Sequence, residues 1–173
     1  MDPQQPKSIK ILILDVDGVL TDGRVIYTDS GEEIKRFDVR DGHGLKLLMR
    51  SGIEVILLTG RESKVVLHRA RDLGIEHVYQ KALNKIEVYK TILAQRNLED
   101  KDVGFVGDDL VDLPVLRKVG FSAAVPDAVP EVKEIVDYIT TKKGGEGAVR
   151  EVCELLLKAQ NKWEAVTEKY HAT

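Results

Sequence analysis

Four short stretches of the chain carry side chains whose types and spacing suit phosphate chemistry. Asp15 and Asp17 stand two residues apart, directly after the apolar run Ile11–Leu14, where a strand would leave its sheet. Residues i and i+2 share a face of an extended strand. Carboxylates held that close repel unless a cation lies between them, and a hard divalent ion such as magnesium, with its oxygen ligands, is the natural one. Asp15-Val16-Asp17-Gly18 fits a turn with an Asx hydrogen bond equally well. Further on, Gly107-Asp108-Asp109-Leu110-Val111-Asp112 sets three acids after a second apolar run. Helix N-capping explains one such acid but not three, so a second metal ligand is expected here.

Thr59-Gly60 closes the apolar run 54–58. A threonine hydroxyl with backbone N–H groups at a following helix start makes a cradle for phosphate oxygens, although an N-cap reads just as well. Arg61 and Lys64 add positive charge beside it. Lys85 falls in the first turn of a helical pattern, against the helix dipole, as it would beside a fixed phosphate; a solvated lysine is the plainer reading. His43, His68, His77 and His171 show no metal-like spacing. His43, between two glycines, reads as part of a flexible approach to a helix.

Positioning these groups requires strands that end at one edge. Apolar β-branched runs at 9–14, 54–58, 103–106 and 121–124, with shorter pieces near 77–79 and 138–140, predict the strands. Helical patterns at 44–51, 63–73, 85–95, 111–119, 130–135 and 148–160 alternate with them. That alternation predicts an α/β fold, a Rossmann-like, doubly wound and mainly parallel sheet. Residues 24–27 and 33–37 alternate polar and apolar around Asp29-Ser30-Gly31 and predict a β-hairpin flap, about 24–38, after the first strand. It would lean over the carboxyl edge of the sheet, where open α/β sheets bind ligands.

The composition bounds the answer. With 173 residues, 43% of them hydrophobic, the chain supports one domain over 1–173. A net charge of −3 gives no general attraction to nucleic acid or to a membrane, so any basic patch must be local, and a local patch suggests a small anionic ligand. Cys153 is the single cysteine, so no internal disulfide can form, and the apolar run before Asp15 is too short for a signal peptide or membrane span. A cytoplasmic protein is expected.

In chain order the motifs read Asp-x-Asp-Gly, Thr-Gly, Lys and Gly-Asp-Asp-x-x-Asp, and this ordered set resembles the four motifs of the haloacid dehalogenase superfamily. Leu14-Asp-Val-Asp-Gly-Val-Leu-Thr-Asp-Gly23, Leu58-Thr-Gly-Arg61, Gly107 to Asp112 and Gly144-Gly-Glu-Gly-Ala-Val-Arg150 are similar to the family of phosphatases acting on 3-deoxy-D-manno-octulosonate (KDO) 8-phosphate, in lipopolysaccharide precursor synthesis. Gly18 and Thr59 stand about 40 residues apart, room for a hairpin and one helix but not for a cap domain, so a capless member is implied.

The resemblance makes Asp15 the nucleophile and Asp17 the general acid and base. It gives magnesium to the Asp15 carboxylate, the Asp17 main-chain carbonyl and Asp108. Thr59 and Lys85 would stabilise the phosphoryl group, and Asp109 and Asp112 would orient Lys85 or metal-bound water. Gly60 and Arg61 would bind substrate, with Arg61 addressing the sugar-acid carboxylate. The resemblance also implies a homotetramer in which hairpins assemble and a neighbour's C-terminal segment, about 142–173, closes the site through Lys142, Gly144, Gly145 and Arg150. Lys81-Ala82 and Glu146 depart from the family pattern and bear on the choice of sugar acid. A nine-carbon sialic-acid-type 9-phosphate is the alternative substrate. A phospho-accepting receiver domain and a non-catalytic tetramerisation domain are the alternatives of other kinds; the receiver is disfavoured because here the second acidic group follows both Thr59 and Lys85.

Overall fold

The computed structural model describes residues 5–170, so His171 lies outside the described residues. Six parallel strands form one sheet: β1 (Ile11–Leu14), β4 (Glu54–Leu58), β5 (His77–Tyr79), β6 (Val103–Gly107), β7 (Phe121–Ala124) and β8 (Tyr138–Ile139), in the order β5-β4-β1-β6-β7-β8. The chain winds outward from β1 to β5, then returns to β6 on the other side of β1. The switch point of the sheet therefore lies between β1 and β6, where the ends of adjacent connections diverge and leave a crevice.

Every residue of β1 is buried. Leu12 and Leu14 enter one core while Ile11 and Ile13 enter the other, as period-two alternation requires of a strand covered on both faces. The first core is closed by α1 (Val39–Arg50), α2 (Lys64–Leu73), α6 (Ala148–Ala159) and α7 (Trp163–Thr167). The second is closed by α3 (Lys85–Arg96), α4 (Leu113–Leu116) and α5 (Pro130–Lys133). The α/β, doubly wound expectation is met, and no cap domain is present among the described residues. No helix among them is long and apolar enough to cross a membrane.

Three differences from the sequence reading affect the elements around the site. Helix α1 starts at Val39, because the Asp38 carboxylate caps it by accepting from the Arg40 N–H at 2.6 Å. His43 and its flanking glycines are thus helical, and Gly44 lets α6 approach: a Cβ there would lie 3.1 Å from the Arg150 Cα. The expected helix 111–119 is a 3-10 turn, Leu110–Asp112, followed by the short α4. The hairpin ribbon is also shorter than expected, with β2 (Ile26–Tyr27) and β3 (Glu33–Ile34) making two cross-strand pairs.

Candidate active site

Asp15 and Asp108 meet because their strands do. Leu14 pairs in register with Val106, and the Asp15 N–H donates to the Val106 carbonyl at 3.0 Å, so the residues that follow β1 and β6 emerge side by side. Gly18 turns the chain back at φ +93°, and a Cβ there would fall 2.0 Å from Asp108 Oδ2. Only glycine allows the loop that close to a carboxylate in that conformation. Asp112 Oδ2 accepts from the backbone N–H of Asp108 (3.0 Å) and of Asp109 (3.3 Å), which fixes the turn after β6. Its Oδ1 accepts from Lys85 Nζ at 2.6 Å, and Lys85 Nζ also lies 3.0 Å from Asp15 Oδ1. The unfavourable place of Lys85 at the start of α3 is therefore offset by two buried carboxylates.

The centre holds more negative charge than its cation neutralises. Burial pushes the Asp15 carboxyl up to about 6, against the pull of Lys85. Burial, with Asp15 and Asp112 beside it, raises Asp108 to about 8. For Lys85 burial opposes the charge, but Asp15 and Asp112 together hold its pKa above the ordinary value. Carboxylate oxygens of Asp15, Asp108 and Asp112 lie within 4.8 Å of one another, and Asp108 Oδ1 is buried with no hydrogen-bond partner among the described residues. An orphaned buried carboxylate oxygen beside a second carboxylate fits a hard divalent cation. Asp112 already satisfies Lys85 and two amides, which leaves Asp15 and Asp108 as the side chains free to ligate. The Asp17 side chain is not in this cluster. Its carboxylate pairs with Lys35 and Arg61 instead, which leaves the main chain as that residue's route to a cation there.

Asp17 Oδ1 accepts from Lys35 Nζ, and Arg61 Nε lies 3.7 Å from Oδ2. Lys35 also pairs with Glu33 Oε1 at 3.2 Å, and its side chain is 1% exposed. Glu33 accepts from Arg61 at 3.2 Å and from the Ser63 hydroxyl, and Arg61 donates to the Tyr27 hydroxyl at 3.1 Å. Burial works against ionised Glu33, yet the Ser63, Lys35 and Arg61 hydrogen bonds hold its pKa below the usual carboxylate value. Lys35, Glu33 and Tyr27 were missed by the sequence reading. The signal was present in the alternation of the hairpin, which puts residues 33 and 35 on one face. Ser63, not Thr59, is the N-cap of α2, accepting from the Val66 N–H at 3.4 Å. Buried Thr59 Oγ1 accepts from the Arg61 N–H at 3.3 Å, so Thr59, Gly60 and Arg61 form one tight turn above β4.

The glycine-rich segment packs against the loop that carries Asp17. A Cβ on Gly144 would lie 1.7 Å from the Gly18 carbonyl oxygen, and the Gly145 N–H donates to the Val19 carbonyl at 3.1 Å. Lys142 lines a surface cavity of about 480 Å³ with Arg36, Arg40 and Glu146. Arg150 is turned elsewhere, pairing with Glu154 at 2.7 Å, lying 3.2 Å from His43 Nδ1 and stacking on Trp163. Neither Lys142 nor Arg150 makes a contact with the Asp15 cluster among the described residues. Asp109 caps the 3-10 turn through the Leu110 N–H at 2.7 Å and shares a capping box with Asp112, and among the described residues it makes no hydrogen bond or ion pair with Lys85.

Comparison with known proteins bears directly on this centre. Residues 73–152 match the haloacid dehalogenase-like hydrolase family. The chain is 46% identical over 164 residues to the 3-deoxy-D-manno-octulosonate 8-phosphate phosphatase of Yersinia pestis, covering 95% of this chain and 88% of that one. It is 49% identical over 156 residues to the protein of the same name from Escherichia coli K12, covering 90% and 83%. Among solved structures, 3-deoxy-D-manno-octulosonate 8-phosphate phosphatase from Moraxella catarrhalis, in complex with magnesium, phosphate and KDO, superposes with a TM-score of 0.95 at 44% identity, covering 97% of each chain. A cobalt-bound form of the Haemophilus influenzae phosphatase gives 0.88 at 43% identity, covering 92% of this chain and 93% of that one.

Proposed function

The chain belongs to the haloacid dehalogenase-like hydrolases, in the family of KDO 8-phosphate phosphatases, and from that premise we propose that it hydrolyses KDO 8-phosphate to KDO and phosphate with magnesium as its cofactor. One observation carries the reading: the carboxylates of Asp15 and Asp108 converge beside Lys85, with an oxygen of Asp108 buried and unpartnered.

Asp15 and Asp108, with the main-chain carbonyl of Asp17, would hold magnesium, which when bound neutralises charge on the non-bridging phosphate oxygens. Asp15 attacks phosphorus and forms an aspartyl-phosphate, while the P–O bond to the sugar breaks and its electron pair goes to the sugar oxygen. Asp17 gives that oxygen a proton. In the second half it takes a proton from the attacking water, and phosphate leaves with Asp15 regenerated. Lys85 orients Asp15 and meets the phosphoryl oxygens, and Thr59 with the N–H groups around Gly60 cradles them. Arg61 faces the sugar-acid carboxylate, and its place beside Asp17 supports that role.

We extend the reading to the assembly and compartment. A homotetramer is supported by the exposed apolar residues of the hairpin region, Val25, Ile26, Tyr27 and Ile34, and by the exposed position of Lys142. Gly144, Gly145 and Arg150 would then meet substrate through a neighbouring subunit. A cytoplasmic location accords with the single buried thiol of Cys153. Light scattering on the purified chain checks the first; a monomer at micromolar concentration removes it.

A steady-state screen of phosphorylated sugar acids with magnesium tests reaction and substrate together. KDO 8-phosphate should give the highest kcat/KM. A preference for a nine-carbon sialic-acid-type 9-phosphate would replace the substrate and leave the chemistry, whereas no turnover of any phosphomonoester would remove the enzyme.

A further inference from the structure

Lys35 is the most deeply buried cation on the hairpin side of the site, and the reaction as derived gives it no task. It stands at the end of a chain of contacts that starts in the body of the protein. Ser63, the N-cap of α2, donates its hydroxyl to Glu33 Oε2; Glu33 Oε1 takes Lys35 at 3.2 Å; and Lys35 grips Asp17 Oδ1. The hairpin that carries Lys35 is closed by only two cross-strand pairs, so this polar chain and not the ribbon sets where its ammonium sits. The grip is one-sided. Among the described residues no hydrogen bond reaches Asp17 Oδ2, since Arg61 Nε stands 3.7 Å away, beyond hydrogen-bond distance.

We propose that Lys35 is a positioning residue for the proton-transfer step: it holds the Asp17 carboxyl group by Oδ1, outside the Asp15–Asp108–Asp112 cluster, and leaves Oδ2 as the oxygen that delivers the proton to the leaving group. This deepens the reading given above and rests on Asp17 being the proton donor. A freely rotating aspartate at this place would be drawn into the cation site as a third carboxylate, and its proton-carrying oxygen would have no fixed direction. An ammonium fixed by Glu33 removes both freedoms. The effect is one of geometry: an acid must lie within hydrogen-bond reach of the atom it protonates. It also assigns the flap a part in catalysis apart from substrate recognition.

The test reads leaving-group dependence. The value of kcat/KM reports only steps up to departure of the alcohol, so it isolates the acid role of Asp17 from its later role as base. The substrates are p-nitrophenyl, phenyl and ethyl phosphate, which have no sugar for Lys35 to touch and need protonation increasingly in that order. Relative to wild type, Lys35→Met should lose about 10²-fold on ethyl phosphate but no more than about threefold on p-nitrophenyl phosphate, as removal of general acid catalysis does. Lys35→Arg, which keeps a donor for Oδ1, should lose about equally little on all three. Each variant should still melt higher in the presence of magnesium, which shows an intact centre.

Equal losses for Lys35→Met on every substrate would make the lysine a packing element only and overturn the proposal. So would an unchanged dependence with KM raised for KDO 8-phosphate alone, which is the mark of a substrate ligand. Asp17→Asn distinguishes the two levels. If it too shows no leaving-group dependence, the proton-donor reading falls and takes this proposal with it; if it does and Lys35→Met does not, only the assignment of Lys35 falls.

Discussion

Asp15, Asp108, Asp112 and Lys85 are fixed by the sheet, whereas Tyr27, Glu33, Lys35 and Arg61 are fixed largely by one another. Asp15 and Asp108 directly follow β1 and β6, which pair in the middle of the sheet with every residue buried, and Asp112 and Lys85 at the start of α3 are tied to them. Of the second, Tyr27, Glu33 and Lys35 hang on or just after a ribbon whose strands are two residues each and whose apolar side chains are largely exposed, and Arg61 reaches them from the turn after β4. Strength of support follows chemical demand. Phosphoryl transfer tolerates little displacement of nucleophile and cation, so those groups are placed where backbone hydrogen bonds and two cores hold them. Substrate choice and the direction of the acid are handled by side chains on a lighter element, which can vary without disturbing the centre.

The contrast can be broken in four places, taken from the largest effect downward. Asp15→Asn removes the nucleophile and leaves a side chain of nearly the same size. Turnover should fall by about 10⁴-fold or more while the protein stays folded by circular dichroism. Normal hydrolysis by this variant would end the proposed mechanism.

Removal of magnesium comes second, and its sign is fixed by the raised carboxyls. In the metal-free protein burial raises the Asp15 carboxyl to about 6 and the Asp108 carboxyl to about 8, both above their unfolded value of 3.8. Their contribution to stability is complete below that unfolded value and is lost as pH rises through 6 and then 8. The metal-free melting temperature should therefore decline across that window. Bound magnesium favours the ionised forms, so the gain on adding it should grow with pH and reach about 2.7 kcal/mol at a hundredfold excess over Kd. Asp108→Asn should abolish most of that gain. A gain that is flat with pH would show that the cation sits elsewhere.

Third, Arg61→Ala should raise KM about tenfold for KDO 8-phosphate, and far less for p-nitrophenyl phosphate, which carries no carboxylate. Identical losses on both would move Arg61 from substrate recognition to the support of Asp17, which lies 3.7 Å away. Smallest of all, Tyr27→Phe deletes the hydroxyl that receives Arg61 at 3.1 Å. One exposed hydrogen bond is worth about 1 kcal/mol or less, so stability should change within that range and kcat/KM within about threefold. A larger loss would show that the ribbon depends on this contact more than its neighbours suggest.

Much of the centre was legible in the chain because each of its motifs is local. A strand followed at once by an acid fixes where that acid emerges, and apolar runs such as 11–14 and 103–106 mark their strands without reference to anything distant. The role of Asp112 was half visible: the resemblance implied support for Lys85 or for metal-bound water, but only the fold shows that it also ties down the amides of residues 108 and 109. Helix α1 was placed five residues late, since Gly42 and Gly44, inside the helix that Asp38 caps, resemble a loop.

The hairpin was expected, but its chemistry was not. Lys35 is 18 residues from Asp17, Glu33 is 30 from Ser63 and Tyr27 is 34 from Arg61. Charged residues on a short ribbon read as solvated until something folds against them, because burial is a property of two surfaces and the sequence of one strand describes one.

The sequence by itself determined the fold class, the order of the chemical groups and the strand end from which each emerges, because periodicity and strand-end position are properties of neighbours in the chain. Only the tertiary structure decided which carboxylate is left with an orphaned oxygen, which lysine grips which acid, and that the Asp17 carboxylate lies outside the cluster of Asp15, Asp108 and Asp112. Those outcomes depend on desolvation and on contacts between segments far apart in the chain, and both exist only once the chain has closed on itself.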